Sequence, residues 1–445
     1  MIIAFIAFLL LIVLLVPMIR WRKQGGEIFA PRMVAFFFLI ITTIPYLFTI
    51  SGNNFIIYPL ILNKIGLNNL NQSIAYFALI LVIGSLSLLL GLKVPLIEKF
   101  TKVPVIARIE SEKRYLFAFF ITFGLGFSGY LLFLQQVGGF NSLVTNLNIR
   151  AQLTAGNGYI MSFTSSLLMM SIVCYICSFR FKKTFLKYLF LILLVLCVAF
   201  ILSSFGGRKQ TLQLIAFCLI AWHYGVKRFK RIPIKIWLMV PFLLIYIIAI
   251  PILRSPAGVD YYINTPGALI EEIGDNTGKL TQQISYVDNY LLIFNHFSIN
   301  NIWLGRSFID LLYSPIPSSI FPNKPPGDEG VYLQTILRNW YVEVKPSMPF
   351  KELYPSSFPS ETLGTMYMNF WIPGIVVGMF LLGVIYKLAY YYMRRSNYNG
   401  FSIMVYCFIM LNFHLSNLRI AQTLMSIIII LFFFIILFPG KKIVK

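Results

Sequence analysis

Apolar runs of nearly bilayer length fill most of this chain, and they leave few folds open. Eleven stand out, at about residues 2–19, 33–50, 73–92, 115–136, 159–179, 188–204, 211–225, 236–253, 372–392, 400–413 and 420–438. A helix needs about 20 apolar residues to cross the hydrocarbon core, within a range of about 17–25. Inside hydrocarbon the backbone must satisfy its own hydrogen bonds, which a helix does within one segment. The seventh and tenth runs are short, so tilt, a break or flanking residues must make up the length. The expected fold is an all-α polytopic membrane protein with about eleven transmembrane helices and one large external loop. Hydrophobic residues reach 58%, which excludes a soluble enzyme carried by one anchor. The 42 Phe and 25 Tyr suit lipid-facing surfaces and interfacial belts.

Basic residues set the expected orientation. With the N-terminus outside, the inner segments hold 25 of the 37 Lys and Arg, and the reverse orientation leaves them 12. The C-terminus is then cytoplasmic, and residues 254–371 form the external loop. The chain divides into helices one to eight over 1–253, the loop over 254–371, and helices nine to eleven over 372–445. The net charge of +22 lies mostly in short loops, so it reads as membrane topology and not as a nucleic-acid surface.

Of the 15 acidic residues, 11 fall in 254–371, and none falls inside an expected span. Ion-coupled transporters usually need intramembrane carboxylates, so this distribution weighs against one. The short external loops show the opposite composition. They carry Lys64, Arg150, Arg208, Lys209 and Arg419 with no acidic residue. A cation beside the bilayer without a counter-ion is costly, and a lipid phosphate would neutralise it. Arg208, Arg254 and Arg419 are expected to converge on such an anion. Gly206-Gly207-Arg208-Lys209 opens a span after a two-glycine turn, and backbone amides at a helix N-terminus favour anions. A plain tight turn is the alternative there, as is a snorkelling arginine at each span end.

The five cysteines lie within apolar runs, so no disulfide framework is implied. Cys174-Tyr-Ile-Cys177 has metal or redox spacing but no nearby His or further Cys, and it reads as packing. The run from Ile2 lacks a basic leader and a cleavage site, so it reads as a retained span.

Within the loop, Gly267 to Ser298 shows three- and four-residue apolar steps expected of one or two amphipathic helices. Asp328 to Tyr341 reads as another short helix. Tyr313 to Pro326 holds five prolines and is expected to be extended. Ser360 and Glu361 suit a helix start, while Glu361 also suits a carboxylate that accepts a proton or sugar hydroxyls. Tyr367, Asn369 and Trp371 could stack on and bond a sugar.

These pieces resemble the Wzy-type oligosaccharide repeat-unit polymerases of O-antigen and capsule synthesis. The resemblance rests on Gly206-Gly207-Arg208, Leu304-Gly305-Arg306, Phe321-Pro322-Asn323-Lys324-Pro325, Pro359-Ser360-Glu361, Asn369-Phe370 and Pro373-Gly374. It covers the span plan of nearly the whole chain, while the motifs are short. At Trp371-Ile372-Pro373 the chain departs from the family's Phe-Gly-x-x-Gly pattern. The resemblance implies a GT-C-like glycosyltransferase of the bacterial plasma membrane. Its substrates would be undecaprenyl-pyrophosphate-linked oligosaccharides on the outer face, and its partners membrane lipids and a chain-length regulator protein. No cofactor or metal is implied. Arg208, Lys209, Arg254 and Arg419 would hold the pyrophosphates, and Arg306, Lys324 and Arg338 would contact sugars or the loop. Glu361 or His414 would be the base for the acceptor hydroxyl, with His296 a weaker candidate. The competing readings are an O-antigen ligase, a lipid-linked-oligosaccharide flippase and a non-enzymatic assembly subunit.

Overall fold

A computed structural model describes residues 1–95, 110–145, 157–205, 208–231, 233, 240–253, 261–262, 264–276, 279–316, 320–339 and 343–438. Among these residues every regular element is helical. The first four helices are α1 (Ile2–Lys23), α2 (Pro31–Gly52), α3 (Pro59–Ile65) and α4 (Leu70–Lys93). Next come α5 (Glu112–Gln136), α6 (Gly139–Thr145), α7 (Gly158–Ser178), α8 (Phe185–Ser204), α9 (Arg208–Gly225) and α10 (Val240–Leu253). The segment after them holds α11 (Pro266–Asn276), α12 (Leu280–Ile284), α13 (Val287–His296), α14 (Arg306–Tyr313) and α15 (Gly330–Leu337). The last three are α16 (Glu361–Arg395), α17 (Gly400–Asn412) and α18 (Asn417–Leu437).

Eight helices are long and apolar enough to cross a membrane: α1, α2, α4, α5, α7, α8, α16 and α18. The chain is therefore a multi-pass membrane protein. The other three expected runs also form helices, α9, α10 and α17, of 18, 14 and 13 residues. Local chemistry sets several starts. Pro31 opens α2, where its missing N–H costs nothing. Ser111 caps α5 by accepting from the Arg114 N–H, with Glu112 in the first turn. Among the described residues three short helices, and not one or two, occupy the stretch expected to be amphipathic after Gly267.

The chain groups into two compact units. The first comprises Met1–Ile97, Thr281–Leu388 and Asn412–Thr423. Within it α1, α2 and α4 pack together, and α13 lies against α2, α3 and α4 with Val287–Phe294 buried. Asp288 on α13 accepts from Tyr46 Oη at 2.7 Å, Tyr58 N at 3.1 Å and Gln282 Nε2 at 3.1 Å. Burial raises its pKa, and these donors partly offset that. Helices α4 and α16 approach closely through glycine. A Cβ at Gly91 would stand 2.1 Å from Phe380 O, and one at Gly383 2.4 Å from Leu88 O.

Helix α16 is two antiparallel limbs. The break is Trp371, at φ 55° and ψ −146°, a backbone region nearly reserved for glycine. In a straight helix residues 366 and 378 would stand about 18 Å apart. Instead a Cβ on Gly378 would meet Met366 Cγ at 2.3 Å, and one on Gly374 would meet Met366 O at 2.4 Å. Leu363, Ile375 and Met379 likewise all reach Gly84. The limb 361–370 therefore doubles back along 373–381. Glu361 lies beside the middle of the second limb, ~15 Å along it from the break. The sequence placed no carboxylate within a span; this reversal brings one alongside it.

The second unit comprises Glu98–Leu280, Ala389–Leu411 and Leu424–Lys445. Its core is α7, buried from Thr164 to Ser178 and packed on α5 and α9. Cys174 and Cys177 are free and buried there. Arg180 ties the unit together. It pairs with Glu110 at 3.2 Å and donates to the carbonyls of Gly225 and Tyr398, while Glu110 accepts from Gly400 N at 3.1 Å.

Candidate active site

Three stretches of the first unit meet around buried carboxylates: Glu329 before α15, the first limb of α16, and the turn from His414 into α18. The α16 reversal supplies Glu361, which is 3% exposed. Its Oε1 lies 3.3 Å from Arg419 Nη2, and its Oε2 lies 3.3 Å from His414 Nε2. Arg419 also donates from Nη1 to Gln422 Oε1 at 3.2 Å. The His414 ring packs on Phe38 with centroids 5.8 Å apart. Thr362 Oγ1 accepts from Leu415 N at 2.8 Å, which fixes the His414 turn to the residue after Glu361. Glu361 itself has φ +48°, an unfavourable backbone for a side chain of its size. Such strain clusters at functional sites.

Glu329 holds this arrangement from behind. Its Oε1 accepts from Thr365 Oγ1 at 2.6 Å and Ser360 Oγ at 3.1 Å. Its Oε2 accepts from Asn417 N, the first N–H of α18, at 3.0 Å. One carboxyl thus ties the residue before Glu361 to the helix that carries Arg419. Burial pushes its pKa up to about 7, the Asp328 carboxylate adds to that, and the two hydroxyl donors act against it.

Asn417 closes the ring. Its Nδ2 donates to Ser307 O, and Ser307 Oγ donates to Asn369 Oδ1 at 3.0 Å. Asn417 Oδ1 is buried with no partner among the described residues. It is a place for a donor from outside the chain, such as a ligand hydroxyl or water.

Of the residues expected from sequence to do chemistry, Glu361, His414 and Arg419 come together here. Arg419 is a correction: it has a protein counter-ion, supplied by the loop's last acidic residue. Arg208 is the first residue of α9, but its side chain and that of Lys209 lie outside the described residues, as does Arg254. Arg306 is exposed at the start of α14. Lys324 staples the Pro-rich stretch by donating to the carbonyls of Ser314 at 3.1 Å and Ile316 at 2.7 Å, and burial lowers its pKa. The Arg338 guanidinium lies 5.1 Å from the Tyr354 ring centre and donates to Tyr58 Oη at 3.4 Å. His296 ends α13 with its ring against Phe297.

Tyr367 and Asn369 are not available to a sugar as expected. Tyr367 Oη bonds Tyr76 Oη and Trp371 Nε1, each at 3.0 Å, and Asn369 bonds Ser307 and Thr365. Glu329 and Asn417 were missed, because no local pattern distinguishes a buried carboxylate before a short helix from an exposed one. Lys64, read as an external cation, donates to Ile336 O at 2.8 Å and Asn339 Oδ1 at 2.7 Å, at the C-terminal end of α15. Among the described residues no group of three or more His, Cys, Asp and Glu is placed to hold a metal.

Fold and site define a multi-pass helical membrane protein with a buried carboxylate–histidine–arginine cluster. No protein family, curated protein or solved structure matches the chain.

Proposed function

We propose that this chain is a glycosyltransferase of the bacterial plasma membrane that polymerises undecaprenyl-pyrophosphate-linked oligosaccharide repeat units on the outer face. In this reading it has eleven spans, a GT-C-like fold, an external N-terminus and a cytoplasmic C-terminus. The observation that carries the proposal is the Glu361–His414–Arg419 cluster. Charges buried beside membrane spans are expensive and concentrate where function requires them. The cluster pairs a base oriented by a carboxylate with a planar cation suited to phosphate.

The chemistry follows from those groups. The acceptor hydroxyl loses its proton to His414 or Glu361 as its oxygen attacks the anomeric carbon of the donor sugar. The bond from that carbon to the pyrophosphate oxygen breaks, and the electron pair leaves with the lipid pyrophosphate. Arg419 neutralises the charge that develops on the leaving group. The buried Asn417 Oδ1 offers an acceptor to a sugar hydroxyl. Purified protein incubated with one lipid-linked repeat unit should give a ladder of longer lipid-linked chains. Failure of the wild-type protein to extend any such unit would overturn the proposal.

A flippase reading has its own support in the carboxylate and histidine beside the middle of the second limb of α16. It predicts movement of the lipid-linked unit across vesicle membranes without elongation. A ligase differs only in its acceptor and would transfer the chain to a lipid core in place of a second repeat unit.

A further inference from the structure

Helix α14 is built inside out. Ser307 and Asp310 are fully buried, while Leu312 is 74% exposed and Ile309 shares its outer face. Residues 307 and 310 are one turn apart, as are 309 and 312, and the two pairs point to opposite sides of the helix. The inward polar face has dedicated partners. Asp310 accepts from Tyr332 Oη and Ser347 Oγ, both at 2.7 Å, and from Ser347 N at 3.1 Å. Ser307 bonds Asn369 and Asn417. In a water-surrounded loop the apolar side of a helix faces the protein. Here that order is reversed.

The outward face continues onto a membrane span. Gly305 lies so close to Phe370 that a Cβ would stand 3.0 Å from its Cζ, and Phe308 stacks on the same ring with centroids 6.3 Å apart. Phe370 is exposed and leads to exposed Val376, Val377 and Leu381 on the second limb of α16. Leu304, two residues before α14, is 71% exposed. Arg306 is exposed at the head of α14, a suitable position for a lipid phosphate.

We propose that α14 is embedded in a leaflet of the bilayer, with Leu304, Ile309 and Leu312 against acyl chains and Arg306 at phosphate level. The occupant of the apolar face is lipid. Because Ser307 bonds Asn417 from the inner side, one helix then separates acyl chains from the Glu361–Arg419 cluster. The inference does not depend on the polymerase reading.

The test is photo-crosslinking of the full chain in native membranes, with p-benzoylphenylalanine replacing Leu312 or Ile309. Irradiation, digestion and mass spectrometry should find phospholipid adducts at both positions. Absence of lipid adducts, or adducts to a second copy or another protein, would overturn the proposal. A smaller probe guards against a folding defect: Leu312→Cys should resist a membrane-impermeant maleimide in intact membranes and react after SDS denaturation. Ready labelling before denaturation would place α14 in water.

Discussion

Glu361 and Arg419, 58 positions apart in sequence, face each other at 3.3 Å in a site where Glu361 is 3% and Arg419 15% exposed. Each therefore sets the state of the other. Removing one partner of a buried ion pair leaves an uncompensated charge, at a cost of about 3–5 kcal/mol. Arg419→Ala should accordingly lower thermal stability as well as activity. Glu361→Gln added to it should recover part of the stability and none of the activity. Melting curves in detergent check this. An Arg419→Ala protein as stable as wild type would mean the pair is unimportant. Arg419→Lys should retain only part of the activity, since an ammonium lacks the guanidinium fork.

Glu329 makes a pH prediction. Its carboxyl titrates near 4.5 when unfolded and is pushed up to about 7 in the native protein. Between those values the folded state holds a proton that the unfolded state has lost. Stability should thus fall as pH rises through that window and level off above it. Asp288 and Asp310 are also raised by burial, so they act in the same direction. Glu329→Gln keeps the shape and removes the ionisation, and it should flatten the decline between pH 4.5 and about 7. Parallel melting-temperature profiles for wild type and Glu329→Gln would contradict the assignment.

Much of this was legible in the chain, for identifiable reasons. Each of the eleven apolar runs coincides with a helix among the described residues, and eight of those helices are long and apolar enough to cross a membrane, because a span demands continuous apolar composition. Glu361, His414 and Arg419 stood out because such groups are rare next to spans. The pairing of Glu361 with Arg419 was not legible, since it depends on the first limb of α16 turning back. That reversal hides in Trp371, whose side chain gives no sign of a glycine-like backbone. It also falls where the chain departs from the Phe-Gly-x-x-Gly pattern of the polymerases it resembles, a departure that says nothing of the backbone geometry. Glu329 and Asn417 act through contacts with distant segments, and no spacing rule finds those.

Trp371 can be tested by a pair of substitutions that both remove the indole. At φ 55° and ψ −146° glycine is at ease and a β-branched residue is not. Trp371→Val should be less stable than Trp371→Gly by about 1–3 kcal/mol. In an ordinary helix the order would be reversed, so thermal denaturation of the two variants decides whether α16 reverses here.

Chain growth is expected to continue in EDTA, because in the proposed reaction Arg419 neutralises the charge on the leaving group. Loss of elongation in chelator, restored by added Mg²⁺ or Mn²⁺, would assign that role to a metal.

The most direct measurement is elongation of a purified undecaprenyl-pyrophosphate-linked repeat unit by wild type, Glu361→Gln and Arg419→Lys at matched folded protein. Wild type should build a ladder, Glu361→Gln should build none, and Arg419→Lys should be slowed by part of the roughly ten- to hundredfold that outright loss of a charge-assisted contact, about 1.5–3 kcal/mol, would bring. Wild-type elongation by Glu361→Gln and Arg419→Lys alike, or transbilayer movement of the unit without elongation by wild type, would contradict the account.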